Sequence, residues 1–162
     1  MYNFGMLLQM LKAEGVEIWS SEPASEFSIN LLEKELKVVF TPQYRLFLRN
    51  YGALSVSDIF VAGIVDNSPL QEEGGGLLYE TNRLVQMSGS VPVGLVAISR
   101  HEDGAYCLDV TSKGYSDEFT VVNFDASEGW NPYPVGTCFV DFFIRRVFKV
   151  FVKSDLDFRD FC

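Results

Sequence analysis

The sequence predicts an α+β fold in which a largely antiparallel sheet packs against N-terminal and C-terminal helices. Three observations lead to this prediction: a pair of helical segments over 28–52, three β-rich runs over 95–124, and an apolar helical segment over 138–152. Short turns join antiparallel neighbours, so the three runs are expected to form a meander. A chain of 162 residues, 48% of them hydrophobic, can bury one sizeable core, and we expect a single domain over 1–162.

Two helices are predicted before residue 40. Residues 1–14 have an amphipathic pattern, which predicts an opening helix. Its inner face is expected to consist of Met6, Leu7, Met10 and Leu11. Ser28 is expected to cap the next helix, over 29–37, because its hydroxyl can accept a free amide of the first turn.

A third helix is predicted to begin at Thr41-Pro42, a preferred cap followed by proline at the first helical position. Gly52 follows its last turn, where a left-handed residue is needed. Four apolar residues have the spacing i, i+3, i+4 and i+7 of one helix face: Tyr44, Phe47, Leu48 and Tyr51. Three polar residues are expected to point elsewhere: Gln43, Arg45 and Arg49.

The remaining elements are predicted from the period of the apolar residues. Strands are expected at 54–56, 59–65, 95–99, 105–110 and 119–124, with a glycine-rich loop at 66–76 and a helix at 77–86. The segment 138–152 is too short and too charged to span a bilayer. Asp141, Arg145 and Lys149 recur in it every fourth residue as one polar stripe, which predicts a largely buried helix.

The composition narrows the classes of partner. The net charge of −9 argues against binding to nucleic acid or to an anionic membrane, and it would suit a basic partner or simply confer solubility. Three cysteines, Cys107, Cys138 and Cys162, cannot all pair within the chain. The first residues lack the basic and apolar regions of a signal peptide, so we expect a reducing, cytoplasmic location.

Several motifs together resemble one known family. They are Leu32-Glu33 through Leu36, Pro42-Gln43-Tyr44-Arg45-Leu46-Phe47-Leu48 with Tyr51-Gly52, Gly104-Ala105-Tyr106-Cys107-Leu108-Asp109, and Phe139 through Val147. In order and spacing they resemble the SUKH superfamily of small α+β domains, which includes yeast cell-wall regulators and bacterial toxin-immunity proteins. The resemblance covers roughly residues 25–150, so the first helix and the acidic tail after Lys153 are extensions.

The resemblance implies binding rather than catalysis. It predicts an immunity protein that neutralises a cognate toxin domain, often a nuclease, by occluding its active site in the cytoplasm. The alternative is a non-toxin regulatory or scaffold module of the same fold. The negative charge fits the first role independently, because nuclease sites attract phosphate and an acidic inhibitor can compete for the same field.

Seven residues are predicted to contact the partner. The loop that contains Glu128, Trp130 and Tyr133 is stiffened by two prolines and displays aromatic residues, although Trp130 could instead cover the core. Glu102-Asp103 and Asp117-Glu118 would extend an acidic rim if the strand ends cluster. Each pair taken alone also fits an ordinary solvated turn.

An enzyme is the least favoured interpretation. The candidate nucleophile Cys107 and the single histidine, His101, are expected on opposite faces of a β-hairpin, with Cys107 buried. Asp109 and Arg100 share a face and would form an ion pair. The sequence has no Cys-Xaa-Xaa-Cys, no histidine pair and no phosphate-binding glycine motif, so no catalytic, cofactor or metal site is predicted.

Overall fold

The computed structural model describes residues 3–161 and confirms the α+β fold. In chain order the elements are α1 Phe4–Ala13, β1 Ile18–Ser20, α2 Glu26–Leu36, α3 Pro42–Tyr51, β2 Leu54–Val56, β3 Ile59–Val61, α4 Leu77–Ser88, β4 Leu95–His101, β5 Gly104–Lys113, β6 Phe119–Asp125, β7 Tyr133–Gly136, α5 Phe139–Phe143 and α6 Lys149–Phe151. A π-helical turn, Ile144–Phe148, joins α5 to α6 without a break in the helix. Short 3₁₀ turns lie at Tyr115–Asp117 and Phe158–Asp160.

Two antiparallel sheets form the centre of the fold. One has the strand order β1-β2-β3, and the other is the predicted meander, β4-β5-β6-β7. The amide of Ala62 donates to the carbonyl of Ile98 at 2.7 Å and joins the two sheets where β4 contains a bulge. β1 and β7 are the outer strands of this arrangement. The fourth strand of the meander was not predicted, and β3 is four residues shorter than expected because the chain leaves the sheet at Ala62.

The first two helices differ in detail from their predictions. Ser25, not Ser28, caps α2, because its Oγ accepts the amide of Ser28 at 3.1 Å and the helix begins three residues early. The hydroxyl of Ser28 donates instead to the carbonyl of Asn67. The buried face of α1 is Phe4, Leu7, Leu8 and Leu11. Met6 was predicted to be internal, but it is 47% exposed, because it lies on the side of the helix away from this buried face.

Helix α3 begins at Pro42 and ends before Gly52, as predicted, and Tyr44, Phe47 and Leu48 are fully buried. The prediction that Gln43 points away from the core is wrong. Gln43 is buried. Its backbone amide donates to Oε1 of Glu118, and its side-chain Oε1 accepts from the backbone amide of Val140. A polar side chain thus joins α3 to the first turn of α5.

The C-terminal helix is largely buried, as predicted, but Asp141 does not belong to an exposed stripe. Asp141 is 1% exposed, and its carboxylate accepts from the amide of Thr137 at 2.8 Å and from Nε of Arg145 at 2.6 Å. These bonds satisfy the charge without water. Arg145 and Lys149 are exposed, as expected.

The meander has a packed cluster on each face. On one face Phe139 lies at the centre of an aromatic group in the main core, with Phe4, Tyr44, Phe47 and Phe142 around it. On the other face a smaller cluster lies partly under α4. Its buried members are Leu84, Leu95, Ala97, Ala105, Cys107, Val122 and Phe124. The sheet is therefore held from both sides, which fixes the positions of its turns.

Candidate functional site

The β4–β5 turn and the β6–β7 loop lie at the same end of the meander. In an antiparallel meander, alternate connections fall at the same end. The amide of Ala126 donates to the carbonyl of Asp103 at 3.0 Å and joins the two connections directly. Glu102, Asp103 and Glu128 are all exposed there. We call these three carboxylates the acidic end.

Asp125 organises the β6–β7 loop from inside. One carboxylate oxygen accepts from Oγ of Ser127 at 2.9 Å and from the amide of Glu128 at 3.0 Å. The carbonyl of Asp125 accepts the amide of Trp130 at 2.8 Å. Gly129 and Trp130 both have a left-handed backbone, with φ of 64° and 59°. The loop therefore has a defined conformation that sets the position of Glu128.

The two predicted aromatic contacts have different surroundings. Trp130 is half-buried, and its ring lies 5.1 Å from that of Phe124 in the smaller cluster, so it covers that part of the core. Tyr133 is 38% exposed, and its hydroxyl accepts from Nδ2 of Asn123 at 3.1 Å. Tyr133 is therefore the aromatic residue that this loop leaves accessible beside the acidic end.

Asp117 and Glu118 do not join the acidic end. They follow β5, at the opposite end of the meander from Glu102 and Asp103. Asp117 is exposed, but Glu118 is only 4% exposed, and its Oε1 accepts the amide of Gln43. The strand ends that carry these two pairs do not cluster, because consecutive turns of a meander alternate between ends, so Asp117 and Glu118 do not extend the acidic rim.

A polar network behind the acidic end was not predicted. Nε2 of His101 lies 2.7 Å from Oδ1 of Asn123, and Nδ2 of Asn123 donates to Oδ2 of Asp125 at 2.6 Å. Tyr133 completes the network. The sequence contains a signal for it, since Asn123 and Asp125 are polar residues at alternate positions in an otherwise apolar strand. Their partners could not be identified without the register.

The charge of Asp125 is expected to stabilise the fold at neutral pH. Burial alone raises the pKa of Asp125, but hydrogen bonds from Asn123, Glu128 and Ser127 outweigh burial and lower it below its ordinary value of 3.8. The charge of Asp125 therefore contributes its full stabilisation above the ordinary pKa of 3.8, and this contribution is lost as the pH falls through the lower folded-state pKa. We expect Asp125→Asn to cost about 1–3 kcal/mol at pH 7 in urea unfolding, with a smaller cost at pH 3.

Asp155→Asn is the matched control, because Asp155 is exposed and makes no hydrogen bond with a described residue. Its free energy of unfolding should match that of the parent chain within about 0.5 kcal/mol at both pH values. An equal cost of Asp125→Asn at pH 7 and at pH 3 would mean that the carboxylate charge plays no part.

The Cys107 region lacks the geometry of a nucleophilic site. His101 and Cys107 lie on opposite faces of the sheet, as predicted, since Cys107 pairs with Ala97 and belongs to the smaller cluster. Burial, and then the charge of Asp109, raise the pKa of Cys107 to about 12, whereas reactive thiols have a lowered pKa.

The predicted ion pair between Asp109 and Arg100 is wrong. Arg100 pairs with Ala105, whereas Asp109 pairs with Leu95 near the far end of β4 and accepts from Thr111. The two residues share a face, but the two-residue turn and the bulge set a register that separates them along the strands.

Residues 3–161 also lack the features of a metal site and of a membrane-spanning helix. No group of three or more His, Cys, Asp or Glu residues in this part of the chain could hold a metal ion. None of the helices described there has the length and apolar character needed to cross a membrane.

The helical pair before a β-meander, followed by a buried C-terminal helix, defines an α+β domain of the SUKH type. Residues 5–133 match the family SUKH_5, described as SMI1-KNR4 cell-wall, and the chain belongs to this family. SUKH domains are generally non-catalytic modules, and the superfamily includes both toxin-immunity proteins and SMI1/KNR4 cell-wall proteins. No curated protein matches the chain.

Proposed function

We propose that the protein is an immunity protein that binds a cognate toxin in the cytoplasm and occludes its active site. The observation that carries the proposal is the acidic end, where a backbone hydrogen bond holds two connections together and three carboxylates surround them. A basic toxin domain, such as a nuclease that attracts phosphate, is complementary to this surface.

Family membership supports the proposal because the superfamily includes immunity proteins. The rigidity of the acidic end supports it further. Asp125 fixes the backbone on which Glu128 is displayed, and Tyr133 is held by Asn123, so ordering this surface on binding costs little entropy. Tyrosine is also a residue type enriched among the strong contacts of protein interfaces.

The test uses the purified chain and the product of the neighbouring gene, because an immunity gene lies directly beside its toxin gene. The double variant Glu102→Gln/Glu128→Gln removes two charges from the acidic end. Charge-assisted contacts contribute enough that we expect binding at least about tenfold weaker, through slower association and a shallower dependence on salt. Binding is measured by surface plasmon resonance at rising salt concentrations.

The matched control is Asp117→Asn/Asp155→Asn, which removes the same total charge from exposed residues outside the acidic end. It should bind like the parent chain. Equal weakening in both double variants would mean that net charge alone matters and would remove the acidic end from the proposal. If the neighbouring product does not bind, and pull-down captures a signalling or cell-envelope protein, the regulatory alternative replaces the immunity function.

A further inference from the structure

Two of the seven arginines in this acidic chain have neither a hydrogen bond nor a ring contact with a residue that the structure describes. Neither Arg83 nor Arg100 makes a hydrogen bond with any residue that the structure describes, and the nearest carboxylate contact of Arg100 is a long one, 3.8 Å from Nε to Oε1 of Glu80. Nη1 of Arg83 is buried and has no acceptor among residues 3–161. The other five arginines have partners: Arg45 with Glu26 and Glu33, Arg49 with Glu26, Arg145 with Asp141, Arg159 with Asp157, and Arg146 over the ring of Tyr106.

Arg83 and Arg100 line the same groove. It has a volume of about 470 Å³ and lies where α4 and the end of β4 meet the three-stranded sheet. Phe60 lines it as an apolar surface, and the hydroxyl of Ser99 donates to the carbonyl of Phe60 at 2.8 Å, which fixes β4 to β3 beside the groove. His101 also lines it. The amide of Ala97 in β4 donates to Oγ1 of Thr81 in α4 at 3.0 Å, so the two elements that carry the guanidinium groups are joined to each other.

Guanidinium groups have five donors each and suit planar oxyanions. A partly buried arginine without any acceptor loses hydrogen-bond free energy that an incoming anion would restore. Asp58 and Glu102 also line the groove, and their charges oppose anions. They oppose a phosphate with two charges more strongly than a carboxylate with one, so the lining favours a carboxylate.

We propose that this groove binds a side-chain carboxylate of a protein partner through Arg83 and Arg100. Glu102 belongs both to the groove and to the acidic end, so the two form one continuous surface. The inference rests on the proposed function only for the identity of the partner. A partner complementary to this surface is basic where it meets the acidic end and has one acidic residue at the groove. One acidic residue within a basic contact surface fixes how the partner docks. Basic proteins that lack this residue would bind more weakly.

The test needs no toxin, so its failure is distinct from failure of the proposed function. Acetate and N-acetylglutamate amide are titrated into the chain at constant ionic strength, with chloride as the balancing anion, while NMR follows the arginine Nε–H signals. We expect saturable shifts at Arg83 and Arg100 with both probes and none at Arg159, which is already paired with Asp157. In Arg100→Gln the remaining Arg83 shift should require about tenfold more probe, whereas Arg159→Gln should bind like the parent chain.

Arg100 has a half-exposed side chain, so its replacement should leave the fold intact, and the unchanged amide spectrum checks this. Shifts that rise linearly with either probe, or that are the same in Arg100→Gln, would overturn the proposal. Tighter binding of inorganic phosphate than of acetate would replace the carboxylate with a phosphate. Binding of acetate without binding of the blocked glutamate would mean that the groove accepts a small acid and not a protein side chain.

Discussion

Phe139→Ala should lower the free energy of unfolding by about 3–5 kcal/mol, the cost of emptying a large aromatic site in a packed core. Phe139 is 1% exposed, and its ring centroid lies 5.1 Å from that of Phe47, 5.4 Å from Tyr44 and 5.9 Å from Phe4. These rings belong to α1, α3 and α5, so the cavity would loosen three helices together. Urea unfolding followed by circular dichroism measures the change.

Phe27→Ala is the matched control. Phe27 is 76% exposed in the first turn of α2, so the same truncation should change stability by no more than about 0.5 kcal/mol. A loss below about 1 kcal/mol for Phe139→Ala would contradict the central position of this ring, because only a site that collapses without a cavity could produce it.

Gly52→Ala should cost at least about 3 kcal/mol, the sum of backbone strain and crowding. Gly52 has φ of 68°, and a Cβ atom there would lie 2.4 Å from the carbonyl oxygen of Glu22 and 2.6 Å from that of Ile64. Both obstacles are backbone atoms, which cannot rotate away. Thermal unfolding and urea unfolding should both report the loss.

Gly15→Ala separates the two contributions. Gly15 has φ of 79°, but nothing lies within 4 Å of the position that a Cβ atom would occupy. This variant should lose only the strain, about 1–2 kcal/mol. Equal losses at the two positions would mean that the contact between Gly52 and its neighbours relaxes, and that the junction between α3 and β2 is looser than the distances imply.

Local signals allowed most of the helices and strands to be predicted. Thr41-Pro42 and Gly52 predict the ends of α3 because caps and left-handed stops depend on a few adjacent residues. Contacts between residues far apart in the sequence could not be predicted in this way. Gln43 and Glu118 are polar residues that a helix and a turn would each expose. Both are buried: the side chain of Gln43 accepts from the amide of Val140, and Oε1 of Glu118 accepts from the backbone amide of Gln43.

Part of the candidate site could also be predicted, because it depends on local turns and on the order of the strands. Meander topology places Glu102, Asp103 and Glu128 at one end, and the turns that carry them are visible in the sequence. The same topology places Asp117 at the opposite end, although this separation was not predicted from the sequence. The groove that contains Arg83 and Arg100 depends on how α4 crosses the junction of two sheets, and no local pattern encodes that crossing.

The outer strands have a consequence for behaviour at high concentration. An open sheet edge offers unpaired amides and carbonyls to which another chain can add a strand, and this is a common route to aggregation. β1 has only three residues, and β7 contains Pro134, which has no amide hydrogen to donate. Both ends of the strand arrangement are thus poor templates for strand addition, so the free protein can accumulate without its sheets joining edge to edge.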